Sequence, residues 1–297
     1  MPTGERAFAI VRNPWTATLD TLLSEVQEDL LIVSPFIKLS RIREVISTLY
    51  RRGVDRDLKI AVLTNIHTES VLNGALDLEA LQALADRIPR FALTHLPGLH
   101  AKVYVADLRM VVITSANLTD SGVTRNIEYG IACRSTAVIS EVRRDFERYA
   151  RLGASIPLGE LSGLVADASE LKTLYVRAQQ TIQGPARRAF RRKLEAASVR
   201  VLQNRARGKT TQSLLIDAIL FLLERGPMTT SELQPLVQQL QPDVCDDSVD
   251  RIIEGVHFGK KWKHHVRSAQ QALKRSGQIR FDGTHWHLTA SPMSRPR

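Results

Sequence analysis

Alternating apolar and polar positions divide the first 150 residues into short strands and longer helices. Six runs rich in Val, Ile and Leu have the length and composition of buried strands. They are Asp29–Ser34, Leu58–Thr64, Arg90–Leu96, Leu99–Ala106, Arg109–Thr114 and Ile127–Cys133. Helical periodicity separates them at Ala17–Gln27, Arg41–Arg52, Leu78–Arg87 and Val138–Ala150. This order predicts an α/β domain over residues 1–150.

After residue 150 the pattern changes to a connector followed by a small module. The connector, residues 151–210, starts with "GASIPLGELSG" and continues into an Arg-rich helical segment after Gly184-Pro185. The module, residues 211–297, begins with an apolar helix at Leu214–Arg225. We therefore expect a basic helical connector between two domains.

The module continues with two more predicted helices and a terminal hairpin. In "TTSELQPLVQQL", Thr229 and Glu232 have capping-box spacing, although Pro235 inside the helix predicts an irregular start. Lys261–Ser276 is helical, and "QIRFDGTHWHLT" predicts two short strands around an Asp-Gly turn. This order resembles a winged helix-turn-helix, an α+β fold found beside restriction-type nucleases.

Size and composition exclude several classes of protein. A chain of 297 residues that is 43% hydrophobic can bury a core and divides into about two domains. Its best apolar run, Leu214 to Leu223, contains Asp217 and is too short to cross a bilayer, and the N-terminus lacks a signal-peptide pattern. Two cysteines, Cys133 and Cys245, argue against a disulfide scaffold or a cysteine-based zinc site. We expect a cytoplasmic protein with no membrane partner.

The net charge of +10 lies entirely in the second half of the chain. Residues 1–150 hold 18 basic and 18 acidic residues, which leaves 23 basic and 13 acidic of the totals of 41 and 31. One cluster comprises Arg187, Arg188, Arg191, Arg192, Lys193, Arg200, Arg205, Arg207 and Lys209. A cluster of this kind is also typical of a solvated helix face. The second half of the chain has two such clusters, however, which favours binding of a polyanion by that half and chemistry in the first half.

Polar residues interrupt two predicted strands in the stretch "LHAKVYVADLRMVVITSANLTDSG". His100 and Lys102 are two apart on a strand, so their side chains share a face. Asp107 lies an odd number of positions further on, near a turn, which favours a supporting role. Ser115 and Asn117 are again two apart, and the next segment opens a short helix with backbone N–H donors. The set suits a bound phosphate, although each residue alone is also typical of a structural histidine or a turn cap.

The spacing of these residues resembles the signature of the phospholipase D superfamily. That signature reads His-x-Lys-x4-Asp and, after six residues, Thr-Ser-x-Asn, which "HAKVYVAD" and "TSAN" match. "RNIEYG" resembles the downstream Asn-x-Glu element, with Glu128 as its glutamate. "LLIVSPFI" and "LKIAVLT" are similar to the first strands of the family, so the resemblance covers about residues 1–150. Thr114 departs from the glycine that is common before the serine.

The resemblance implies a phosphodiester displacement in two steps. His100 attacks phosphorus to form a phosphohistidine, and a second histidine protonates the leaving oxygen and later activates water. Lys102 and Asn117 meet the phosphoryl charge in place of magnesium, so no cofactor and no metal are expected. Ser115 helps to hold the phosphate, and Glu128 orients the imidazole by accepting its other N–H.

The family uses two such motifs per active site, and this chain has one. None of the other histidines has a lysine two residues later in a matching context: His67, His95, His257, His264, His265, His285 and His287. By resemblance to single-motif members, two chains are expected to pair about a two-fold axis, each supplying the same residues to a shared site.

The basic face of the C-terminal module is the candidate nucleic-acid surface. Its residues are Lys260, Lys261, Lys263, Arg267, Lys274 and Arg275, with Arg280 and His285 as wing contacts to the backbone. A dimerisation or regulatory role for the module stays open. A metal held by His285 and His287 with His264 and His265 is a weaker alternative, because no cysteine or acidic pair completes such a site.

Together these features predict a metal-independent phosphodiesterase that acts on nucleic acid. The most specific form of this hypothesis is a DNA endonuclease of a restriction or anti-phage system, with RNA as the other possible substrate. A phospholipase or phosphatidyltransferase on the same fold is an alternative, which the basic module disfavours. A DNA-binding regulator with an inactive catalytic domain is another, which the complete set of site residues disfavours.

Overall fold

The computed structural model describes residues 8–180, 209–254 and 256–289 and divides the chain into two compact units. The first unit extends to Arg205 and the second begins at Ala206. The cations from Arg187 to Arg207 that the sequence assigns to the connector lie outside the described residues. Among the helices of the described ranges, none combines the length and the apolar character needed to span a bilayer.

A mixed sheet organises residues 8–180. Its strands are β1 (Phe8–Arg12), β2 (Asp29–Val33), β3 (Lys59–Thr64), β4 (Arg90–His95), β5 (Val103–Ala106), β6 (Met110–Thr114), β7 (Tyr129–Cys133) and β8 (Ala154–Ser155). They lie in the order β1-β7-β6-β5-β2-β3-β4-β8. β2, β3 and β4 are parallel, whereas β5, β6, β7 and β1 form an antiparallel half. The α/β domain is therefore present, with each of its six predicted strands in place.

The sheet is buried on both faces at its centre. The register pairs Leu31 with Val105 and Val105 with Val111 on one face, and Tyr104 with Val112 on the other. All five side chains are buried. This is why these strands read as continuous apolar runs instead of alternating ones.

Helices of the first unit connect and cover these strands. They are α1 (Thr16–Glu25), α2 (Leu39–Arg51), α3 (Thr68–Leu72), α4 (Leu78–Arg87), α5 (Asp120–Thr124), α6 (Thr136–Leu152) and α7 (Leu158–Gln180). The bounds of α4 equal the prediction, and α1, α2 and α6 differ from it by a few residues at their ends.

The first unit continues beyond the predicted boundary at residue 150. β8 pairs with β4, and Ile156, Leu161 and Leu164 are buried in the same core cluster as the sheet. The segment that the sequence assigns to a connector therefore begins as part of the first unit. Its leucines explain the difference, since their burial requires the sheet core.

The second unit contains helices and two hairpins within residues 209–254 and 256–289. Its elements are α8 (Thr211–Leu223), α9 (Thr230–Leu240), β9 (Asp250–Ile253), β10 (Val256–Lys260), α10 (Lys261–Arg275), β11 (Ile279–Phe281) and β12 (Trp286–Leu288). The capping box of Thr229 and Glu232 is formed, and α9 runs without interruption through Pro235, contrary to the expected irregularity.

Two features of the second unit extend the sequence prediction. The terminal hairpin β11–β12 is present, and Met228 pairs with Trp286, which adds a third backbone segment beside it. The hairpin β9–β10 between α9 and α10 is not predicted by the sequence pattern. Ile252, Val256 and Phe258 on this ribbon are exposed, so it lacks the one-sided apolar pattern of a strand packed on a core.

Candidate active site

His100 and Lys102 lie together at the end of the sheet where β5 begins. The Lys102 Nζ is 3.3 Å from the Nδ1 and 3.4 Å from the Nε2 of His100, and it donates to the His100 carbonyl at 2.6 Å. Regular pairing of β5 begins at Val103, four residues later than the predicted start at Leu99. The backbone bond from Thr114 N to Lys102 O continues the ladder. The imidazole is exposed, while the lysine is buried. The ammonium therefore lies beside a histidine ring that faces solvent.

Burial of Lys102 has an electrostatic consequence. Only 6% of the residue is exposed, and desolvation lowers the pKa of its ammonium, an effect that the nearby Glu128 carboxylate opposes. The pair thus combines a cation for phosphoryl oxygens with an adjacent imidazole ring.

Asn117 is placed by a buried serine from another strand. Ser34, directly after β2, accepts from the Leu118 N–H at 3.2 Å, and its hydroxyl is shared between the Phe36 carbonyl at 2.8 Å and the Asn117 Oδ1 at 3.3 Å. Tyr104 donates from its hydroxyl to the Ala116 carbonyl at 3.0 Å, and burial raises the pKa of this phenol. In the described part of the chain, the Asn117 amide nitrogen donates to no protein group, so it is available to an anion.

Ser115 and Glu128 form a second pair at the same end of the sheet. The Ser115 hydroxyl donates to the Glu128 Oε2 and accepts from the Tyr129 N–H at 3.1 Å, and Asn126 donates to the other oxygen of Glu128 at 3.1 Å. The expectation that Glu128 orients His100 is not met within this chain. The β6–β7 register places the carboxylate against Ser115, and among the described residues the His100 ring contacts only Lys102.

Asp107 is not part of this site, and its predicted catalytic support role is wrong. It lies after β5, whereas His100 precedes that strand, so the two are at opposite ends of it. Its carboxylate accepts from the backbone N–H groups of Gln27, Glu28 and Asp29 at 2.7 to 3.0 Å. Its φ of 48° also fits the turn that ends β5. Asp107 fixes the start of β2 and has a structural role.

Close packing of the backbone around Gly122 supports the loop that carries Asn117. A Cβ on Gly122 would lie 2.4 Å from the Asn117 carbonyl oxygen, so any side chain there displaces the loop. Asn13 and Trp15 both donate to the Gly122 carbonyl, at 2.9 and 3.1 Å. These contacts hold the Asn117 loop in place at the end of the sheet.

Sequence reasoning missed Ser34, Tyr104 and Gly122 as positioning residues. Ser34 has a visible signal, because it is a polar residue that ends an apolar strand pattern. Tyr104 and Gly122 have none, since a tyrosine in a strand and a glycine in a short helix are both common for other reasons. Thr114, the departure from the family pattern, is buried and accepts from the Ala116 N–H at 3.2 Å, so it stabilises the local turn.

Most of the candidate nucleic-acid residues of the second unit lie on exposed faces. Trp262, Val266 and Leu273 direct one side of α10 into the core of that unit. The opposite side is exposed and carries Lys261, Arg267, Lys274 and Arg275. Arg280 is exposed on β11, His285 is half-buried, and Lys263 lies over the Trp262 ring with its Nζ 5.6 Å from the centroid.

Lys260 differs from these residues, because its ammonium is paired within the protein. Its Nζ pairs with the Asp250 Oδ1 at 2.9 Å across the β9–β10 hairpin. This hydrogen bond raises the pKa of Lys260, and the charges of Asp247 and Asp246 add to the effect. Three carboxylates therefore compete with any phosphate for this ammonium.

Two further histidines of the second unit are held by protein groups. His264 bonds the Arg251 guanidinium at 2.9 Å and the Phe258 carbonyl at 2.7 Å, and His287 pairs with Asp282 at 2.6 Å. The described residues contain no group of three or more His, Cys, Asp or Glu side chains with the proximity of a metal site.

Comparison with known proteins places residues 19–150 in a family described as "Cardiolipin synthase, PLD-like domain". No curated protein sequence matches the chain. The matched range contains each residue of the site at the end of the sheet, from Ser34 to Glu128.

Several solved structures are similar to this chain at low sequence identity. NucT from Helicobacter pylori is 17% identical, with a TM-score of 0.39, over 48% of this chain and 94% of NucT. The phospholipase D family member Nuc from Salmonella typhimurium is 15% identical, with a TM-score of 0.42, over 51% of this chain and 98% of Nuc. A phosphatidylserine synthase from Haemophilus influenzae Rd KW20 is 14% identical, with a TM-score of 0.45, over 59% of this chain and 45% of the synthase.

The family match covers the sheet whose end holds His100, Lys102, Ser115, Asn117 and Glu128. Residues 19–150 therefore match the PLD-like domain of the phospholipase D superfamily.

Proposed function

We propose that the protein is a metal-independent phosphodiesterase that cleaves nucleic acid, most specifically a DNA endonuclease. The observation that carries this proposal is the approach of the Lys102 ammonium to both ring nitrogens of His100. A nucleophile and a cation are then adjacent, and Asn117, which follows the end of β6, adds a neutral donor. This is the set that a phosphoryl group needs during displacement.

In the proposed reaction, a ring nitrogen of His100 attacks phosphorus and the bond from phosphorus to the leaving oxygen breaks. The leaving oxygen takes its proton from a second histidine. That histidine then removes a proton from water, and the hydroxide attacks phosphorus. The phosphorus–nitrogen bond breaks, which releases the phosphorylated end and restores His100.

Charge on the phosphoryl oxygens is met by Lys102 and Asn117. Lys102 has a further N–H available beyond the one that it donates to the His100 carbonyl. Asn117 presents its amide nitrogen because Ser34 holds its oxygen. The Ser115 hydroxyl donates its hydrogen bond to the Glu128 carboxylate. Until a phosphate binds, Ser115 therefore acts through that carboxylate.

A second copy of the chain supplies the second histidine in this proposal. The part of the first unit that the structure describes contains two other histidines, and neither suits the role. His95 is buried and accepts from the Ile66 N–H at 3.0 Å, and His67 precedes α3. A two-fold pairing that brings two copies of His100 together completes the acid and nucleophile pair.

Nucleic acid is favoured as the substrate by the second unit. The exposed side of α10 carries cations, and the pairing of Met228 with Trp286 beside β11–β12 supports the winged-helix proposal, in which α10 enters the major groove. Cations on such a helix contact phosphates and hold the duplex near the catalytic domain. Restriction or defence against phage is the biological role that this combination favours.

The substrate class is tested with the purified full chain in excess EDTA. We expect cleavage of DNA, or of RNA if RNA is the preferred nucleic acid, and no release of headgroup from phosphatidylglycerol or cardiolipin vesicles. The vesicle arm is needed because the family description names cardiolipin synthase. Lipid turnover without nucleic-acid cleavage would establish the phosphatidyltransferase alternative, and strict dependence on added Mg²⁺ would contradict the proposed chemistry.

Substitution of the α10 cations is expected to weaken binding and flatten its salt dependence. Each phosphate contact adds about 0.9 to the slope of log K against log salt for duplex DNA. We expect Lys261→Gln combined with Lys274→Gln to lower the slope by about twice that amount, measured by fluorescence anisotropy. Lys260→Gln is the matched control, because Asp250 already neutralises this lysine. An unchanged slope in the double variant would assign the module to protein pairing.

A further inference from the structure

The β9–β10 ribbon carries apolar side chains that face solvent. Ile252, Val256 and Phe258 are 55%, 56% and 50% exposed, and Val249, which precedes β9, is 43% exposed. None of the four belongs to the core cluster that the structure describes in the second unit. The register pairs Ile252 with His257, so these two share a face, whereas Val256 points to the other face. Apolar residues are therefore exposed on both faces of the ribbon.

Hydrogen bonds hold the base of the ribbon to α10. The His264 ring, near the start of α10, bonds the Arg251 guanidinium on β9 at 2.9 Å and the Phe258 carbonyl on β10 at 2.7 Å. Lys260 pairs with Asp250 across the two strands at 2.9 Å. An isolated two-stranded hairpin is marginally stable in water, so these bonds give the ribbon a fixed position before any partner binds. The exposed apolar residues therefore form a preformed surface.

The charges of the ribbon distinguish it from the exposed side of α10. Residues 250–260 contain two basic and two acidic residues, which balance each other. Residues 261–275 contain five basic residues and no acidic one. Phosphate groups attract the second set, whereas the first set has no excess of cations to offer them. An exposed apolar surface with balanced charges is instead typical of contacts between proteins.

We propose that the β9–β10 ribbon is a pairing arm, which packs against the same ribbon of a second copy of this chain. A contact between two copies about a two-fold axis uses the same surface twice, so that surface must complement itself. The ribbon meets this requirement, because its apolar residues cover each other in such a pair. Its equal numbers of acidic and basic residues leave no net repulsion between the copies.

The choice of a second copy as the partner rests on the proposed function. A shared active site already holds two chains together, so their ribbons are tethered close to each other and pair at a high effective concentration. Even a small contact between the arms then keeps two modules together on one stretch of nucleic acid. Lys274 and Arg275, at the other end of α10 from His264, stay exposed for phosphates.

The first test is the concentration at which the full chain dissociates, measured by fluorescence-detected sedimentation. Phe258→Asp should raise the dissociation constant of the dimer about 30-fold or more, because it places a charge within a contact of apolar residues. Ile252→Asp, on the other strand of the ribbon, should act in the same direction.

Leu108→Asp is the matched control for these two variants. Leu108 is 47% exposed and lies after β5 in the first unit, so its replacement should leave the dissociation constant unchanged. Leu108, Ile252 and Phe258 are all exposed, which is why each of the three variants should melt at the wild-type temperature.

A second test locates the contact by cross-linking. The native Cys133 and Cys245 are buried, so a short bis-maleimide reagent reacts with an introduced cysteine. His257→Cys, exposed on the ribbon, should give covalent dimers of the full chain, and Phe258→Asp in the same chain should remove them. Thr284→Cys, exposed between β11 and β12, is the control and should remain a single chain on a denaturing gel.

Three outcomes would overturn the pairing arm. They are an unchanged dissociation constant in both ribbon variants, equal cross-linking of His257→Cys and Thr284→Cys, and weaker DNA binding by Phe258→Asp where the chain is fully dimeric. The last would assign the ribbon to nucleic acid. If the wild type cuts nucleic acid as a dimer in any of these cases, the arm alone is wrong. If His257→Cys cross-links as expected but the wild type cuts no nucleic acid, the proposed function is wrong and the arm is supported.

Discussion

Replacement of His100 by alanine is expected to abolish cleavage while the protein stays folded and binds DNA. The ring supplies the nucleophile, so its removal should lower kcat by about four orders of magnitude or more. The imidazole is exposed and contacts only Lys102 among the described residues, which is why the melting temperature should change little. Single-turnover cleavage and anisotropy on the same preparation measure the two effects separately.

His67→Ala is the control for this substitution, because His67 is an exposed histidine of the same domain whose side chain caps no helix. It should retain the wild-type rate. The same variant also tests the shared site: co-expression of wild-type and His100→Ala chains should yield mixed dimers without activity, because each site needs His100 from both chains. Substantial turnover by His100→Ala, or full activity of mixed dimers, would contradict the assigned role.

The second large effect is expected from Lys102→Met, which should separate activity from stability. Loss of the ammonium removes stabilisation of the phosphoryl charge and should lower kcat by about 10² to 10³. Burial lowers the pKa of Lys102 in the folded state, so below that pKa the desolvated charge opposes folding, and this cost disappears as pH rises through it. Methionine carries no charge, so at neutral pH the melting temperature should be unchanged or higher.

The pH dependence of cleavage gives an independent measurement of the same group. Since the pKa of Lys102 lies below the ordinary lysine value of 10.5, the rate should begin to fall on the alkaline side below that pH. In Lys102→Arg this alkaline limb should disappear, because a guanidinium stays protonated. A variant Lys102→Met that retains a rate near wild type and melts at a lower temperature would make Lys102 a structural residue.

The sequence predicted best those strands that are buried on both faces of the sheet, because such strands appear as continuous apolar runs. The strands β2, β5 and β6 belong to this class. The strand β1 was missed because it is a five-residue edge strand with Phe8 and Ile10 exposed, which is too short for a clear period. The ribbon β9–β10 was missed for a related reason, since both of its faces carry exposed apolar residues.

In the site, too, contacts set by spacing along the chain were predictable, whereas contacts set by strand pairing were not. A separation of two along the chain was enough to place His100 beside Lys102. The partner of Glu128 depends on how β6 pairs with β7, and the partner of Lys260 depends on a hairpin that the sequence pattern did not predict. Spacing also could not distinguish Asp107 from a site residue, because strand length decides at which end of β5 it lies.

The stereochemical course at phosphorus tests the central claim most directly. An oligonucleotide with a chiral phosphorothioate at the cleavage position is cut by the full chain in EDTA, in water enriched in heavy oxygen, and the configuration of the product is determined. Attack by His100 and then by water inverts phosphorus twice, so the account predicts net retention of configuration. Net inversion would show that water attacks the phosphodiester in a single step and would contradict a phosphohistidine intermediate.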